Sequence, residues 1–140
     1  NEVSLKKLLQ NSDIISIHTN YLKENKYIID ASFIQQVEKP FILINTARGF
    51  NVNTKDLVVG LKSGKVLGAC IDVLEHESTS FETLSQFQNN IELEYLKQAE
   101  NVILSPHIAG WTHESYFKLS NVLAEKIENW INSEEMKTEN

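Results

Sequence analysis

Four side chains that can take part in acid–base or carboxylate chemistry each follow a short apolar run in this sequence. A guanidinium can hold a carboxylate through two hydrogen bonds and polarise a neighbouring carbonyl. A neutral imidazole can accept the proton of an alcohol and return it in the reverse reaction, and a nearby carboxylate can orient that imidazole. This combination favours redox chemistry between an alcohol and a carbonyl. The four residues are His18, Arg48, Asp72 and His107.

The elements that must position these side chains are predicted from the apolar pattern. Short runs rich in β-branched residues predict buried strands at 14–19, 41–45, 66–71 and 102–104. Helical patterns lie between them, and Ser4, Asp30, Asn53 or Thr54 and the residues near 91 are the expected helix starts. The alternation predicts an α/β fold with a parallel sheet that is covered on both faces. Ligands of such sheets bind at the carboxyl ends of the strands, where all four side chains would meet.

A long helix is predicted near the end of the chain, from Thr112 to about Ile131. Its apolar residues recur at helical spacing, which predicts a stripe that packs into a core. The polar residues 133–140 are expected to fray. The stripe consists of Leu119, Val122, Leu123, Ile127 and Trp130.

Composition limits the classes of function. The chain has 140 residues, 41% hydrophobic and 23% charged, which is typical of one folded domain. Its net charge of −6 argues against nucleic acid or an anionic membrane surface as a partner. It contains neither an apolar stretch long enough to span a bilayer nor a signal-peptide pattern, so we expect a cytoplasmic protein. The histidines match no standard ligand spacing, and we expect no metal site.

Three blocks of sequence carry a resemblance to a known family. They are Ile44–Gly49, Gly68–Glu77 and Asn101–Thr112. In this order and spacing the chain resembles the D-isomer-specific 2-hydroxyacid dehydrogenases, which include D-3-phosphoglycerate dehydrogenases, from about Leu5 to Trp130. The resemblance implies a Rossmann-like parallel sheet with flanking helices, the C-terminal half of an NAD-binding domain.

The resemblance also implies roles for individual residues. Arg48 matches the arginine that binds the substrate carboxylate and keto oxygen, and His107 matches the catalytic acid and base. Glu77 matches the carboxylate that pairs with that histidine, although Glu75 lies close enough to be an alternative. The positions implied to bind NAD are Thr19, Thr46, Ala47, Arg48, Asp72, His107, Ile108, Ala109 and Gly110.

Some features of the family are missing from this sequence. No Gly-x-Gly-x-x-Gly turn is present to hold a pyrophosphate at a helix N-terminus. We therefore expect residues 1–140 to form a partial NAD-binding domain, with the glycine-rich phosphate loop and the substrate domain absent. By itself this part should bind NAD weakly or not at all and should be inactive. Asn20 and Ser78 replace prolines that are usual in the family, which affects loop shape more than chemistry.

The resemblance implies an oxidoreductase that transfers a hydride between NAD and a small D-2-hydroxy acid. D-3-phosphoglycerate, as in serine biosynthesis, is the first candidate substrate. The alternatives within the family are a glyoxylate, hydroxypyruvate or D-lactate reductase. A different class also remains open, namely a non-catalytic NAD-sensing or dimerisation module. We expect a homodimer formed through the coenzyme domain.

Overall fold

The computed structural model describes residues 2–75 and 90–138, and side chains as far as Ser133. The chain divides into two compact units, the first ending at His107 and the second beginning at Ile108. Short 3-10 turns at Lys23–Asn25 and Gly49–Asn51 add to the main elements. In chain order these are α1 (Leu5–Asn11), β1 (Ile14–Ile17), α2 (Ala31–Gln36), β2 (Phe41–Asn45), α3 (Thr54–Lys62), β3 (Val66–Ile71), α4 (Ile91–Gln98), β4 (Val102–Leu104) and α5 (His113–Thr138).

The four strands form one parallel sheet in the order β1-β2-β3-β4. Their last residues pair across the sheet, Ile17 with Asn45, Asn45 with Ile71, and Ile71 with Leu104. The predicted α/β fold is confirmed, and β2, β3 and β4 have the predicted bounds. Because the strands end in register, the residues that follow them emerge along one edge of the sheet.

The helices of the first unit begin where the sequence predicts. Asp30 accepts a hydrogen bond from the Phe33 amide at 2.8 Å, and Asn53 accepts one from the Asp56 amide at 3.1 Å. Ser4 and Asn90 cap α1 and α4 in the same way. Each cap satisfies an amide that has no partner inside the helix. Side-chain caps therefore fix the start of all four helices.

Within the first unit the helices cover one face of the sheet, so the described residues of this unit do not give the predicted covering of both faces. Phe41, Leu43 and Val66 are fully buried on the face that packs against the helices. On the other face Leu67 and Ile103 remain 53% and 67% exposed. The reason is topological. Successive right-handed crossovers that step in one direction place their helices on the same side of a sheet.

The second unit differs from the prediction in two respects. Helix α5 begins at His113 and continues to Thr138, past the expected fraying point, because no glycine or proline interrupts this stretch. Its apolar stripe is exposed rather than part of a core, and Leu119, for example, is 71% exposed. The unit contains only this helix and the turn before it, so it offers no second element for the stripe to pack against.

No helix in the described ranges 2–75 and 90–138 is long and apolar enough to cross a membrane.

Candidate active site

Asp72 lies at the centre of the sheet edge and links three strands. Its backbone amide donates to the Asn45 carbonyl at 3.0 Å, and its own carbonyl accepts from the His107 amide at 2.9 Å. The carboxylate is buried, with 3% of the residue exposed, and accepts a hydrogen bond from the Ser105 hydroxyl at 2.5 Å. A buried carboxylate requires such donors, because its desolvation is otherwise unfavourable. Asp72 therefore joins the ends of β2, β3 and β4 into one rim.

Arg48 lies in the exposed turn that follows β2, and a buried amide beneath it holds that turn. Asn45 is completely buried, and its Nδ2 donates to the Arg48 carbonyl at 3.0 Å. Its Oδ1 accepts from the Ala47 amide at 3.1 Å. The Arg48 guanidinium is exposed, with one Nη1 hydrogen bond to the Ala47 carbonyl at 2.6 Å. Thr46 is exposed and Ala47 is buried. The backbone of Arg48 is thus held in place, and its guanidinium, the predicted substrate-binding cation, is exposed.

The Arg48 turn touches the segment after β3 through Gly49. A Cβ atom at Gly49 would lie 1.8 Å from the Leu74 carbonyl oxygen, which no side chain could tolerate. Glycine therefore permits a close approach of two backbones at this point. The contact places the Arg48 turn directly against the segment that carries Asp72 and leads towards Glu77.

His107 is held by its backbone in an uncommon conformation. Its φ angle is +55°, in the left-handed region, where histidine occurs more often than most non-glycine residues. Its amide donates both to the Asp72 carbonyl and to the Ser105 carbonyl, at 2.9 and 3.0 Å. The residue is exposed. Residues in such conformations concentrate at functional sites, where the surrounding structure enforces them.

The loop after β1 contributes two more residues of the rim. His18 is exposed, and its Nε2 lies 2.8 Å from the Ser16 hydroxyl. Thr19 is half-buried, and its Oγ1 is buried without a hydrogen-bond partner among the residues that the structure describes. A buried hydroxyl of this kind is unfavourable unless a further group supplies the hydrogen bond.

Glu77 lies outside the described residues, but the structure bears on its alternative, Glu75. The Tyr27 hydroxyl donates to one carboxylate oxygen of Glu75, and the Thr54 amide donates to the other at 2.9 Å. The hydrogen bond to Glu75 is the main cause of a raised pKa for Tyr27, so the tyrosine keeps its proton. Glu75 therefore joins two loops of the rim, and the choice between Glu77 and Glu75 as the partner of His107 stays a prediction.

The remaining predicted cofactor residues lie in the second unit. Ile108, Ala109 and Gly110 form a turn in which the Trp111 amide donates to the Ile108 carbonyl at 2.8 Å. Their role in binding NAD stays a prediction. Over the described parts of the chain, no group of three histidine, cysteine, aspartate or glutamate side chains could hold a metal ion.

The sequence analysis missed two residues that organise the rim, and it gave a third, Glu75, only as an alternative to Glu77. Asn45 donates to the Arg48 carbonyl, and Ser105 donates to the Asp72 carboxylate. Glu75 joins the loops by accepting from the Thr54 amide. A signal was available for Asn45, since a polar residue that closes an apolar strand has to find buried partners. Neither Ser105 nor Glu75 stands out by type or spacing.

A parallel sheet with its polar side chains gathered at the carboxyl edge defines a ligand-binding α/β domain. The family described as "D-isomer specific 2-hydroxyacid dehydrogenase, NAD binding domain" matches residues 1–109. This chain belongs to that family. The match confirms the resemblance drawn from the sequence at the level of the family.

Known relatives agree with this assignment. The chain is 37% identical over 137 residues to a D-specific alpha-keto acid dehydrogenase of Enterococcus faecium, a match covering 96% of this chain and 41% of that protein. It is 35% identical over 115 residues to a D-lactate dehydrogenase of Staphylococcus aureus, covering 80% of this chain and 34% of the relative. The chain therefore spans between about a third and two fifths of the length of such relatives.

A solved structure shows the same fold. The D-lactate dehydrogenase of Aquifex aeolicus, complexed with NAD and lactic acid, superposes with a TM-score of 0.72 at 31% identity. The superposition covers 94% of this chain and 40% of that one.

Proposed function

We propose that the protein interconverts a D-2-hydroxy acid and the corresponding 2-keto acid with NAD as hydride carrier. One observation carries the proposal, namely the continuous hydrogen-bonded row from the Arg48 turn through Asn45 and Asp72 to His107. This row of hydrogen bonds holds the backbones of Arg48 and His107 at the same edge of the sheet. Both are exposed, as groups that meet a substrate must be.

Arg48 binds the substrate in this proposal. Its guanidinium holds the carboxylate of the 2-keto acid and polarises the adjacent keto oxygen. The polarised carbonyl carbon is then a better hydride acceptor, because negative charge that develops on its oxygen faces a fixed cation. The buried Asn45 amide keeps the turn in place while the side chain itself engages substrate.

His107 moves the proton. In reduction, a protonated ring nitrogen of His107 gives its proton to the keto oxygen, and in oxidation the neutral imidazole takes it from the hydroxyl. The family resemblance assigns Glu77 as the carboxylate that orients this imidazole. The left-handed backbone conformation of His107 fixes the point on the rim from which its imidazole ring extends.

The residues at the rim fit a bound nicotinamide cofactor. The unsatisfied buried hydroxyl of Thr19 could be completed by a polar group of a ligand at the carboxyl edge. Thr46, Ala47 and Asp72 line the same edge, and Ile108, Ala109 and Gly110 are assigned to the nicotinamide side by the family resemblance. When bound, NAD supplies or accepts the hydride. The sequence contains no glycine-rich turn for its pyrophosphate.

The named relatives favour a small unphosphorylated substrate. They are described as a D-specific alpha-keto acid dehydrogenase and a D-lactate dehydrogenase, and a further one as a glyoxylate reductase. We therefore place pyruvate and similar 2-keto acids ahead of the phosphorylated substrate considered first from the sequence. A homodimer through this domain remains part of the proposal.

The test is NADH oxidation by the full-length protein with pyruvate, glyoxylate, hydroxypyruvate and phosphohydroxypyruvate. Turnover of pyruvate or glyoxylate in preference to phosphohydroxypyruvate is the expected result. Preference for phosphohydroxypyruvate would reverse the choice of substrate but keep the reaction class. Binding of NADH without turnover of any of the four would favour the non-catalytic sensing module instead.

A further inference from the structure

Glu75 occupies a junction between three loops of the rim. Its carboxylate accepts the Tyr27 hydroxyl from the loop after β1 and the Thr54 amide, at 2.9 Å, from the end of the loop after β2. Glu75 itself follows β3 by four residues. One side chain thus joins the segments that emerge from three neighbouring strands.

Tyr27 is held in a conformation that a bulky residue seldom adopts. Its φ angle is +54°, in the left-handed region. The Tyr27 amide donates to the Phe50 carbonyl at 2.9 Å, and the Ile29 amide donates to the Asn51 carbonyl at 3.0 Å. Such a conformation persists only where surrounding contacts enforce it. The contacts that enforce it here are those with the turn just after Arg48 and with Glu75.

The Arg48 turn is consequently held at both ends. At its start the Asn45 amide fixes the Arg48 carbonyl, and at its end Glu75 fixes the Thr54 amide. Between these two ends of the turn, Gly49 lies against the carbonyl of Leu74, which is the residue just before Glu75. A change in the position of Glu75 is therefore transmitted to the backbone on which Arg48 is mounted.

We propose that Glu75, with Tyr27 as its partner, is a positioning residue that sets the Arg48 guanidinium for binding the substrate carboxylate. This assignment rests on the proposed function. Glu75 does not touch substrate or exchange a proton with it. Its effect should therefore appear in the binding of the keto acid, through Arg48, and not in the binding of NADH or in the proton step.

The experiment compares steady-state kinetics of Glu75→Ala, Glu75→Gln and Tyr27→Phe with the unsubstituted protein. Glu75→Ala is expected to raise KM for the keto acid by roughly tenfold or more, with a smaller change in kcat and an unchanged Kd for NADH, because misplacing a group that orients substrate mainly weakens substrate binding. Glu75→Gln keeps an acceptor for one of the two donors, so it should lie between Glu75→Ala and the unsubstituted protein. Tyr27→Phe removes a single hydroxyl and should raise KM by a few fold.

Asp56→Asn provides a matched control. The Asp56 carboxylate also accepts a hydrogen bond from a backbone amide, that of Ala31 at 2.9 Å, and also joins neighbouring segments. Among the described residues the Asp56 carboxylate makes no hydrogen bond to the Arg48 turn, so Asp56→Asn should lower the melting temperature without changing KM. A purely structural role for Glu75 would produce the same pattern.

The outcomes separate the two proposals. Turnover of a 2-keto acid by the unsubstituted protein, with KM unchanged in the Glu75 variants, overturns the positioning role alone. Absence of turnover in the unsubstituted protein overturns the proposed function and the positioning role with it. If Glu75→Ala does not fold, Tyr27→Phe decides the question, since it keeps the carboxylate and the ring, and an unchanged KM in that variant counts against the assignment.

Discussion

The turns that carry Arg48 and His107 lie at the same edge of the sheet but are held in different ways. Side chains hold the Arg48 turn, through the buried amide of Asn45 and the carboxylate of Glu75. Backbone hydrogen bonds hold His107, whose amide donates to the carbonyls of Asp72 and Ser105 while its own φ angle lies in the left-handed region.

This difference indicates where substitutions should separate activity from stability. Replacing the His107 side chain leaves the hydrogen bonds that shape its turn intact. Replacing the side chains beneath Arg48 removes the supports of the turn while leaving the guanidinium in the sequence. Substitution of His107 should therefore lower activity without lowering stability. Substitution of the residues beneath the Arg48 turn should lower both activity and stability.

His107→Ala should have the largest effect. We expect kcat to fall by about 10²–10⁴-fold, the range that a positioned acid–base group contributes. The melting temperature and the Kd for NADH should stay close to those of the unsubstituted protein. The measurements are NADH oxidation with pyruvate and a thermal melt, with replacement of the exposed His113 by alanine as the matched histidine control. A variant that unfolds would show that the ring, and not the backbone alone, holds the turn.

Asn45→Ala should affect both stability and substrate binding. The change leaves the buried Ala47 amide without its partner, whereas the Arg48 carbonyl still accepts from the Asn51 amide at 3.2 Å. We expect a loss of roughly 1–3 kcal/mol in the free energy of unfolding, the cost of leaving one buried polar group unsatisfied. KM for the keto acid should rise together with it. Denaturant unfolding and steady-state kinetics measure the two effects, and a normal KM in the folded variant would contradict the role given to Asn45.

Ser105→Ala should have a smaller effect than either. It removes one donor to the buried Asp72 carboxylate and leaves the backbone hydrogen bonds of the His107 turn in place. A hydrogen bond to a charged group contributes about 1.5 kcal/mol or somewhat more, so we expect a destabilisation of that order. Ser105→Thr keeps the hydroxyl and serves as the control. Equal stability of the alanine and threonine variants would mean that Asp72 does not depend on this donor.

The smallest expected effect is a change in stability at alkaline pH. The pKa of Tyr27 is raised above its ordinary value of 10.0, mainly by its hydrogen bond to Glu75. The stabilisation is therefore fully present below about pH 10 and is lost as the pH rises through the raised pKa in the folded protein. Tyr27→Phe should make the melting temperature less dependent on pH above 10, with Tyr21→Phe as the control. An identical pH dependence in both variants would exclude a contribution from Tyr27.

The sequence predicted the sheet well because its signals are local. Alternating strands and helices, and caps such as Asp30 and Asn53, depend on a few neighbouring residues each. It failed where the outcome depends on distant partners. The stripe of α5 has helical spacing, as predicted, yet Leu123 is 59% exposed, because periodicity does not reveal whether a second element is present to cover a helix.

The same difference between local signals and distant partners applies to the candidate site. The positions of Arg48, Asp72 and His107 at strand ends could be read from the sequence, since parallel strands place their carboxyl ends together. The positions of the residues that support these three side chains could not be read from the sequence. The link between Ser105 and Asp72 spans 33 positions and that between Tyr27 and Glu75 spans 48, and neither pair has a spacing that marks it.

The uncovered face of the sheet has a practical consequence for handling the 140 residues by themselves. Ile14, Leu67 and Ile103 present branched apolar surface, and β1 and β4 each have one side with no neighbouring strand in the described sheet. Apolar surface beside open strand edges is a template for aggregation. We expect this segment to self-associate as its concentration rises, and sulfate to promote that association, even though its net charge of −6 opposes it.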